Sequence, residues 1–445
     1  MRTILLFLIW SVIHFEIQAQ STVNDKLRGT WITNVASDAM LNEKNVKEAV
    51  LNCKRNGLTD IFVVVWNNGL TTYPSRVVQN YIGIKQDPRY KQFDPIAAFV
   101  EQGHKNGLKV HAWFEFGFSY AYKDSSQNNW LSKYPHWVGR DQKQNLLKKN
   151  GFFWWNSLHP EVQDFMHQLV LEVVQKYKVD GVQGDDRLPA MPSEGGYDSY
   201  TTQVYADEYN GANPPLDSKN SLWLRWRTNK LNDFAKKLYG SVKKMNPACI
   251  VSWAPSIYPW SLEQYLQDWP TWLKDGYADL IFPQVYRYQF DNYAATLKAV
   301  AKQVPASLKN KIYPGILTSL GDGYRVDSIF FEKMISLNRS EGYKGEVLFY
   351  YETIKDAKKV IYKDQHITAR FQTPDNQLEK VILSNKPLAE ANNKLLPLGD
   401  NSPFDLPKNT CVLSYRLNNK RYYYKILDLT KSNFTPYPSS PPPTH

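Results

Sequence analysis

The sequence predicts an α/β chain folded as a (β/α)8 barrel of the TIM type, followed by a small C-terminal β module. Three observations predict it. Short apolar runs alternate regularly with amphipathic stretches from Leu27 onward, the cadence of a closed parallel barrel. No glycine-rich phosphate turn follows any of the apolar runs, which argues against an open doubly wound sheet. Two long connections, 117–159 and 187–221, leave the carboxyl ends of the third and fourth runs, the face on which such barrels place their sites.

The strands are expected at 27–34, 60–66, 109–116, 181–185, 249–254, 280–286, 312–317 and 346–351. Between them, apolar residues recurring with helical spacing predict helices at 45–56, 95–106, 160–177, 222–245, 261–273, 292–303, 327–338 and 354–362. Trp130, Trp137, Trp154 and Trp155 in the first long connection argue for an ordered insertion rather than a disordered one.

Before the barrel, Arg2 and the apolar run from Ile4 to Trp10, ending at Gln18-Ala19-Gln20, read as a signal peptide over 1–19. The run is too short to span a bilayer comfortably, so an exported protein without an integral membrane segment after cleavage is expected. Its destination would be the periplasm, the cell envelope or the medium. The barrel is expected over 23–364 and a β-rich module over 365–432, with strands at 366–371, 380–384 and 411–428 and a hairpin turn at Leu417-Asn418-Asn419-Lys420. The Pro- and Ser-rich 433–445 reads as a flexible tail.

Composition narrows the function classes. The net charge is +11, but Lys and Arg are scattered and no nucleic-acid motif is present, so a basic surface is expected rather than nucleic-acid binding. Such a surface would be drawn towards acidic envelope polymers. The three cysteines, Cys53, Cys249 and Cys411, lie far apart and outside any Cys/His cluster, which argues against a disulfide scaffold or zinc site. No cofactor or metal is expected, and the chain is expected to be a monomer. Aromatic residues make up 14% of the chain, enough to serve both as core and as stacking surfaces for sugar rings.

The sharpest segment is Val179-Asp180-Gly181-Val182-Gln183-Gly184-Asp185-Asp186-Arg187. Strand alternation puts Gln183 and Asp185 on one face. With that face turned into the barrel, Asp185 is the foremost catalytic candidate and Asp186 sits at the rim or behind it. Like charge raises one of two neighbouring carboxyl pKa values, which suits general acid work, while Arg187 opposes the shift. A plain Asx turn is the structural alternative.

Glu115 is the third catalytic candidate, sharing a face with His111 and Trp113. Its alternative role is an ion pair with an arginine such as Arg28. Polar and aromatic groups at other strand positions make candidate sugar contacts: Arg28, Trp31, Trp66, Asn67, His111, Trp113, Gln183, Arg187, Trp253, Gln284, Tyr286 and Glu352.

Arg28-Gly-Thr-Trp-Ile-Thr-Asn34, Val64-Val-Trp-Asn-Asn68, Ala112-Trp-Phe-Glu-Phe-Gly117, Asp180-Gly-Val-Gln-Gly-Asp-Asp-Arg187, Ala254-Pro-Ser-Ile-Tyr-Pro-Trp260 and Phe282-Pro-Gln-Val-Tyr-Arg287 together resemble the bacterial family 10-like glycosylhydrolases. The resemblance runs from about Leu27 to Tyr362. It implies a (β/α)8 barrel, export to the envelope and action on glycan chains, peptidoglycan strands or exopolysaccharide amino sugars among them. The chain departs from true family 10 enzymes, which place a Glu at the ends of strands four and seven. Here strand four ends in Asp185-Asp186, and Ile312 to Leu320 contains no carboxylate.

The reading that follows is a glycoside hydrolase cutting O-glycosidic bonds in a polysaccharide. Asp185 is essential in it, with Glu115 or Asp186 as acid/base partner. A non-catalytic glycan-binding barrel is the alternative from another class. A metal-dependent deacetylase using His111 and the aspartates would lack a convincing second histidine ligand.

Overall fold

The computed structural model describes residues 26–125 and 129–355 in full, and 359–363, 366–370, 411–417 and 420–426 as backbone strands. Eight parallel strands form one sheet: β1 Arg28–Ile32, β2 Asp60–Val64, β3 Lys109–Phe114, β4 Gly181–Gly184, β5 Ile250–Trp253, β6 Leu280–Ile281, β7 Gly315–Leu317 and β8 Glu346–Phe349. Their order is β6-β5-β4-β3-β2-β1-β8-β7. Parallel bridges Ile281↔Ile312 and Gln284↔Gly315 join the two edges, so each strand lies beside its sequence neighbours and the sheet closes into the expected barrel.

The helices are amphipathic for the reason the sequence suggests. In α1 (Glu43–Arg55), Val46, Ala49, Val50 and Cys53 are buried, which is one helical stripe facing the sheet. The Asn42 side chain accepts the Asn45 N–H and caps its start. The layer continues with α2 (Pro95–Lys105), α3 (Pro160–Lys176) and α4 (Ser221–Met245). After them come α5 (Trp269–Lys274), α6 (Phe290–Ala301), α7 (Ser328–Ser340) and the single turn α8 (Glu352–Lys355).

Two helix expectations need correction. The stretch 261–273 forms two short helices, Trp260–Tyr265 and α5, separated at Leu266, whose φ is +57°. Pro270 restricts the backbone before it and starts the second helix afresh. The stretch 354–362 is helical only to Lys355, and Lys359–Lys363 is a strand paired antiparallel with His366–Arg370. Val360, Ile361 and Tyr362 favour a pleated backbone over a helix.

The described residues of both long connections are ordered. The first builds a three-stranded antiparallel sheet from Ser119–Tyr122, Phe152–Trp154 and Lys148–Lys149. Trp130, Trp137 and Trp155 pack with Phe165 of α3 behind it. The second is gathered by Arg227 of α4, a fully buried guanidinium that donates to the carbonyls of Ser193, Gly195 and Ser218. Burial pushes the Arg227 pKa down to about 9, because carbonyls rather than carboxylates receive its charge.

The chain separates into two compact units, Met1–Asn385 and Lys386–His445. In the second, Cys411–Leu417 and Lys420–Ile426 pair as an antiparallel hairpin, with Leu417 opposite Lys420. The expected signal peptide, the expected strand at 380–384 and the expected tail lie outside the described residues. Among the described residues, no helix is long and apolar enough to cross a membrane.

Candidate active site

Two backbone constraints build the site at the carboxyl ends of β3 and β4. A Cβ on Gly184 would lie 2.4 Å from the Leu188 carbonyl oxygen and 2.5 Å from the Trp253 ring, so only glycine permits the chain to turn there. The Leu188 N–H then donates to the Asp185 carbonyl, leaving Asp185-Asp186-Arg187 as a tight loop. Gly117, with φ +49°, approaches the Arg187 carbonyl so closely that a Cβ would sit 2.1 Å from its oxygen. The neighbouring Phe118 N–H donates to that carbonyl at 2.9 Å. The loops after β3 and β4 are thereby locked together.

Within this frame three carboxylates share one guanidinium. Arg187 Nη1 lies 2.8 Å from Asp186 Oδ1, and its Nη2 lies 3.5 Å from Asp185 Oδ2 and 3.8 Å from Glu115 Oε1. The two latter oxygens are therefore no more than about 7.3 Å apart, the sum of those contacts. Arg187 Nε also donates to the Glu115 carbonyl at 2.9 Å. Its guanidinium lies over Phe152, 4.5 Å from the ring centroid, and closes against Phe116 at 5.7 Å.

Asp185 is 4% exposed. Its Oδ2 accepts Trp113 Nε1–H at 3.1 Å, and its Oδ1 accepts Gln284 Nε2–H and the Asp186 N–H, each at 2.8 Å. Glu115 Oε2 accepts from Asn67 Nδ2 at 2.6 Å. One layer deeper, Gln183 accepts Trp31 Nε1–H at 2.6 Å and donates to Ser252.

Burial pushes Asp185 well above the ordinary carboxylate pKa, and Asp186 and Glu115 add to the shift while Arg187 opposes it. Burial likewise raises Glu115 and Asp186, again against Arg187. Burial works against the charge of Arg187 as well, but Asp186, Asp185 and Glu115 together outweigh it and raise its pKa. Tyr286 is driven far up by burial, then by Asp185 and Asp186. One buried and two partly buried acids beside one base cannot all ionise cheaply, so each binds its proton more tightly than a free carboxyl group does.

The Glycosyl hydrolase-like 10 family model matches residues 26–329, which runs from β1 to the start of α7. The chain belongs to the Glycosyl hydrolase-like 10 family. Glycosyl hydrolase DigH of Escherichia coli (strain K12) is 27% identical over 315 residues, covering 64% of this chain and 68% of that protein. Glycosyl hydrolase YngK of Bacillus subtilis (strain 168) is 23% identical, covering 92% and 86%. Among solved structures, the glycoside hydrolase domain of PgaB (BpsB) from Bordetella bronchiseptica has a TM-score of 0.56 at 13% identity, covering 74% of this chain and 98% of that one. An alpha-L-fucosidase from Paenibacillus thiaminolyticus has a TM-score of 0.52 at 15% identity, covering 73% and 46%. Both likenesses support the barrel fold.

In this Glycosyl hydrolase-like 10 chain, the structure brings together Asp185, Asp186, Glu115, Arg187, Asn67, Trp113 and Gln284, with Trp31, Gln183 and Tyr286 in contact or electrostatic reach. The other candidates lie elsewhere. His111 shares the inward face but sits lower in the barrel, where its Nε2 meets Asp60 Oδ1 at 2.9 Å. Arg28 begins β1 opposite Glu346, also at the amino-terminal end. It is not the base beside Glu115, because Arg187 holds that position.

Trp66 and Trp253 face the helix layer rather than the barrel mouth. Trp66 packs on Trp155 and Phe165, and Trp253 on Trp272. Ser252 points inward to Gln183, so its neighbour Trp253 must point outward. Glu352 accepts from Ser37 Oγ at 2.6 Å on the far rim.

Sequence reasoning missed Phe116, Phe152, Ser252 and Gln267. Phe116 follows Glu115 in the motif stretch, and Ser252 follows from strand alternation. Gln267 donates to the carbonyls of Asp185 and Pro189 from a fully buried position. No local pattern signals that contact.

Proposed function

We propose that the protein is a glycoside hydrolase that cuts O-glycosidic bonds within a polysaccharide, a peptidoglycan glycan strand or another amino-sugar polymer. The single observation that carries this reading is the gathering of Glu115, Asp185 and Asp186 around Arg187 at the carboxyl end of the barrel. Glycoside hydrolysis needs one carboxyl group to protonate the leaving oxygen. It needs a second to stabilise or attack the oxocarbenium-like centre. A trio of carboxyl groups with raised proton affinity, balanced by one guanidinium, can supply both.

Asp185 is the essential carboxylate in this reading, held by three N–H donors, and Glu115 or Asp186 is its partner. Asn67, Trp113, Gln183, Arg187, Gln284 and Tyr286 hold the carboxylates or line the approach to them. The limit of about 7.3 Å between Asp185 and Glu115 oxygens reaches both the retaining spacing, roughly 5–5.5 Å, and the lower part of the inverting range, roughly 6.5–9.5 Å. Proton NMR of the first-formed anomer decides between them. The segment 1–19 is read as a signal for export to the envelope or beyond.

The bare end of β7 favours one second reading. Leu317-Thr318-Ser319 carries no carboxylate, so a barrel that binds glycan without cutting it is the competitor. Incubation with purified glycan strands, read as new reducing ends, separates the two. Cleavage that Asp185→Asn abolishes supports the hydrolase, whereas saturable binding with no new ends from the unaltered protein overturns it.

A further inference from the structure

Arg187 has three acidic neighbours; Arg287, on the same face of the barrel, has none among the described residues. It follows Tyr286 in the loop between β6 and α6, two strands round the barrel from Asp185 and Asp186 and three from Glu115. Among the described residues its one side-chain hydrogen bond is from Nη1 to the carbonyl of Tyr286 at 2.7 Å. Burial lowers its pKa, and no acid compensates. A half-buried guanidinium left without an anion is costly, and its fork of donors matches a carboxylate.

The next residue supplies the other half of a sugar site. Tyr288 is 62% exposed, and its ring meets Tyr324 of the loop after β7 edge-on, with centroids 5.0 Å apart. An exposed tyrosine fixed by a second ring offers a rigid face for the C–H side of a pyranose. Arg287 and Tyr288 are consecutive in one loop at the rim of the barrel, and a cation and a ring are the two kinds of contact that an acidic sugar needs.

We propose that Arg287, Tyr288 and Tyr324 form a subsite for a sugar residue bearing a carboxylate, either as a uronic acid or as a lactyl ether. The assignment rests on the glycan-hydrolase reading for the polymer and adds its charge. Glu115, Asp185 and Asp186 would repel an anion at the bond to be cut. A cation displaced towards β6 and β7 lets the carboxylated ring occupy a neighbouring position instead. The net charge of +11 steers a polyanion to the same molecule.

Titration calorimetry on the full chain tests this without requiring turnover, so it stands apart from the test of hydrolysis. The probes are peptide-free peptidoglycan oligosaccharides, oligouronates, and the methyl esters of each. With the unaltered protein, esterification should weaken binding about ten-fold for whichever acid fits, and the responding pair names the source. Arg287→Met should weaken the acid form about ten-fold and leave the ester unchanged, with Arg287→Lys in between. Tyr288→Ala should weaken acid and ester equally. Equal affinities for acid and ester in the unaltered protein overturn the proposal, as does an Arg287→Met loss shared by both. If Arg287→Met melts early, the ester comparison on the unaltered protein still decides.

Discussion

The two ends of the barrel bury ionisable groups in opposite ways. At the amino-terminal end each acid has its own base: Asp60 meets His111 at 2.9 Å, and Glu346 meets Arg339 at 2.8 Å. At the carboxyl end Glu115, Asp185 and Asp186 crowd a single Arg187. One-to-one pairing gives each acid a partner within hydrogen-bond distance. Surplus acid raises pKa values and costs stability, a pattern retained where chemistry needs the proton. Both ends were drawn from the same inward-facing residues, so position along the strand decides the role.

The largest effect that would break this comparison lies at Asp185. Asp185→Asn keeps the shape and the donors around it but removes the charge and the proton. Activity on glycan strands should fall about 10³-fold or more, equal to roughly 4 kcal/mol of barrier. A variant retaining more than about a tenth of the activity would remove Asp185 from the chemistry.

The same substitution carries a pH signature in stability. Burial raises the native pKa of Asp185 above its unfolded value, so the folded state binds that proton more tightly. The group's stabilising contribution is full below the ordinary carboxylate pKa of about 4 and is lost as pH rises through the raised native value. Asp185→Asn cannot ionise, so its urea midpoint should gain on the unaltered protein over that rise and stay level beyond it. A gain in the opposite direction would mean that Asp185 is stabilised as a carboxylate.

At the other end, His111→Phe is the matching substitution. Both members of the His111–Asp60 pair are buried, and the change leaves Asp60 Oδ1 without its partner. A loss of about 3 kcal/mol in unfolding free energy is expected, with kcat within about two-fold of the unaltered protein, measured by urea unfolding and by reducing-end assays. A large fall in kcat with unchanged stability would move His111 into the site.

How far the sequence could reveal this division depends on what alternation measures. It put Gln183 with Asp185, and His111 with Trp113 and Glu115, on shared faces, and the structure agrees. Alternation carries no depth, although successive inward residues are about 6.6 Å apart along a strand, so His111 and Glu115 belong to different layers. For Trp66 the rule stops applying. β2 ends at Val64, and Trp66-Asn67 pairs antiparallel with Leu70–Thr71, which turns Asn67 to Glu115 and the indole outward. Gln267 and Arg227 act on carbonyls distant in sequence, and only the folded chain reveals such contacts.

The smallest expected effects separate inward from outward tryptophans. Trp113 Nε1–H donates to Asp185 Oδ2, which favours the ionised form. Trp113→Phe keeps the ring and removes that donor. Activity should fall about ten-fold, and the limb of the pH–rate profile governed by the cluster should move to higher pH. Trp253→Phe is its outward counterpart, since Trp253 packs on Trp272 and its long N–H contact goes to the Tyr277 carbonyl. It should cost about 1 kcal/mol of stability and leave the pH profile where it was. A shift with Trp253→Phe, or none with Trp113→Phe, would show that the indole donor does not set the proton affinity of the cluster.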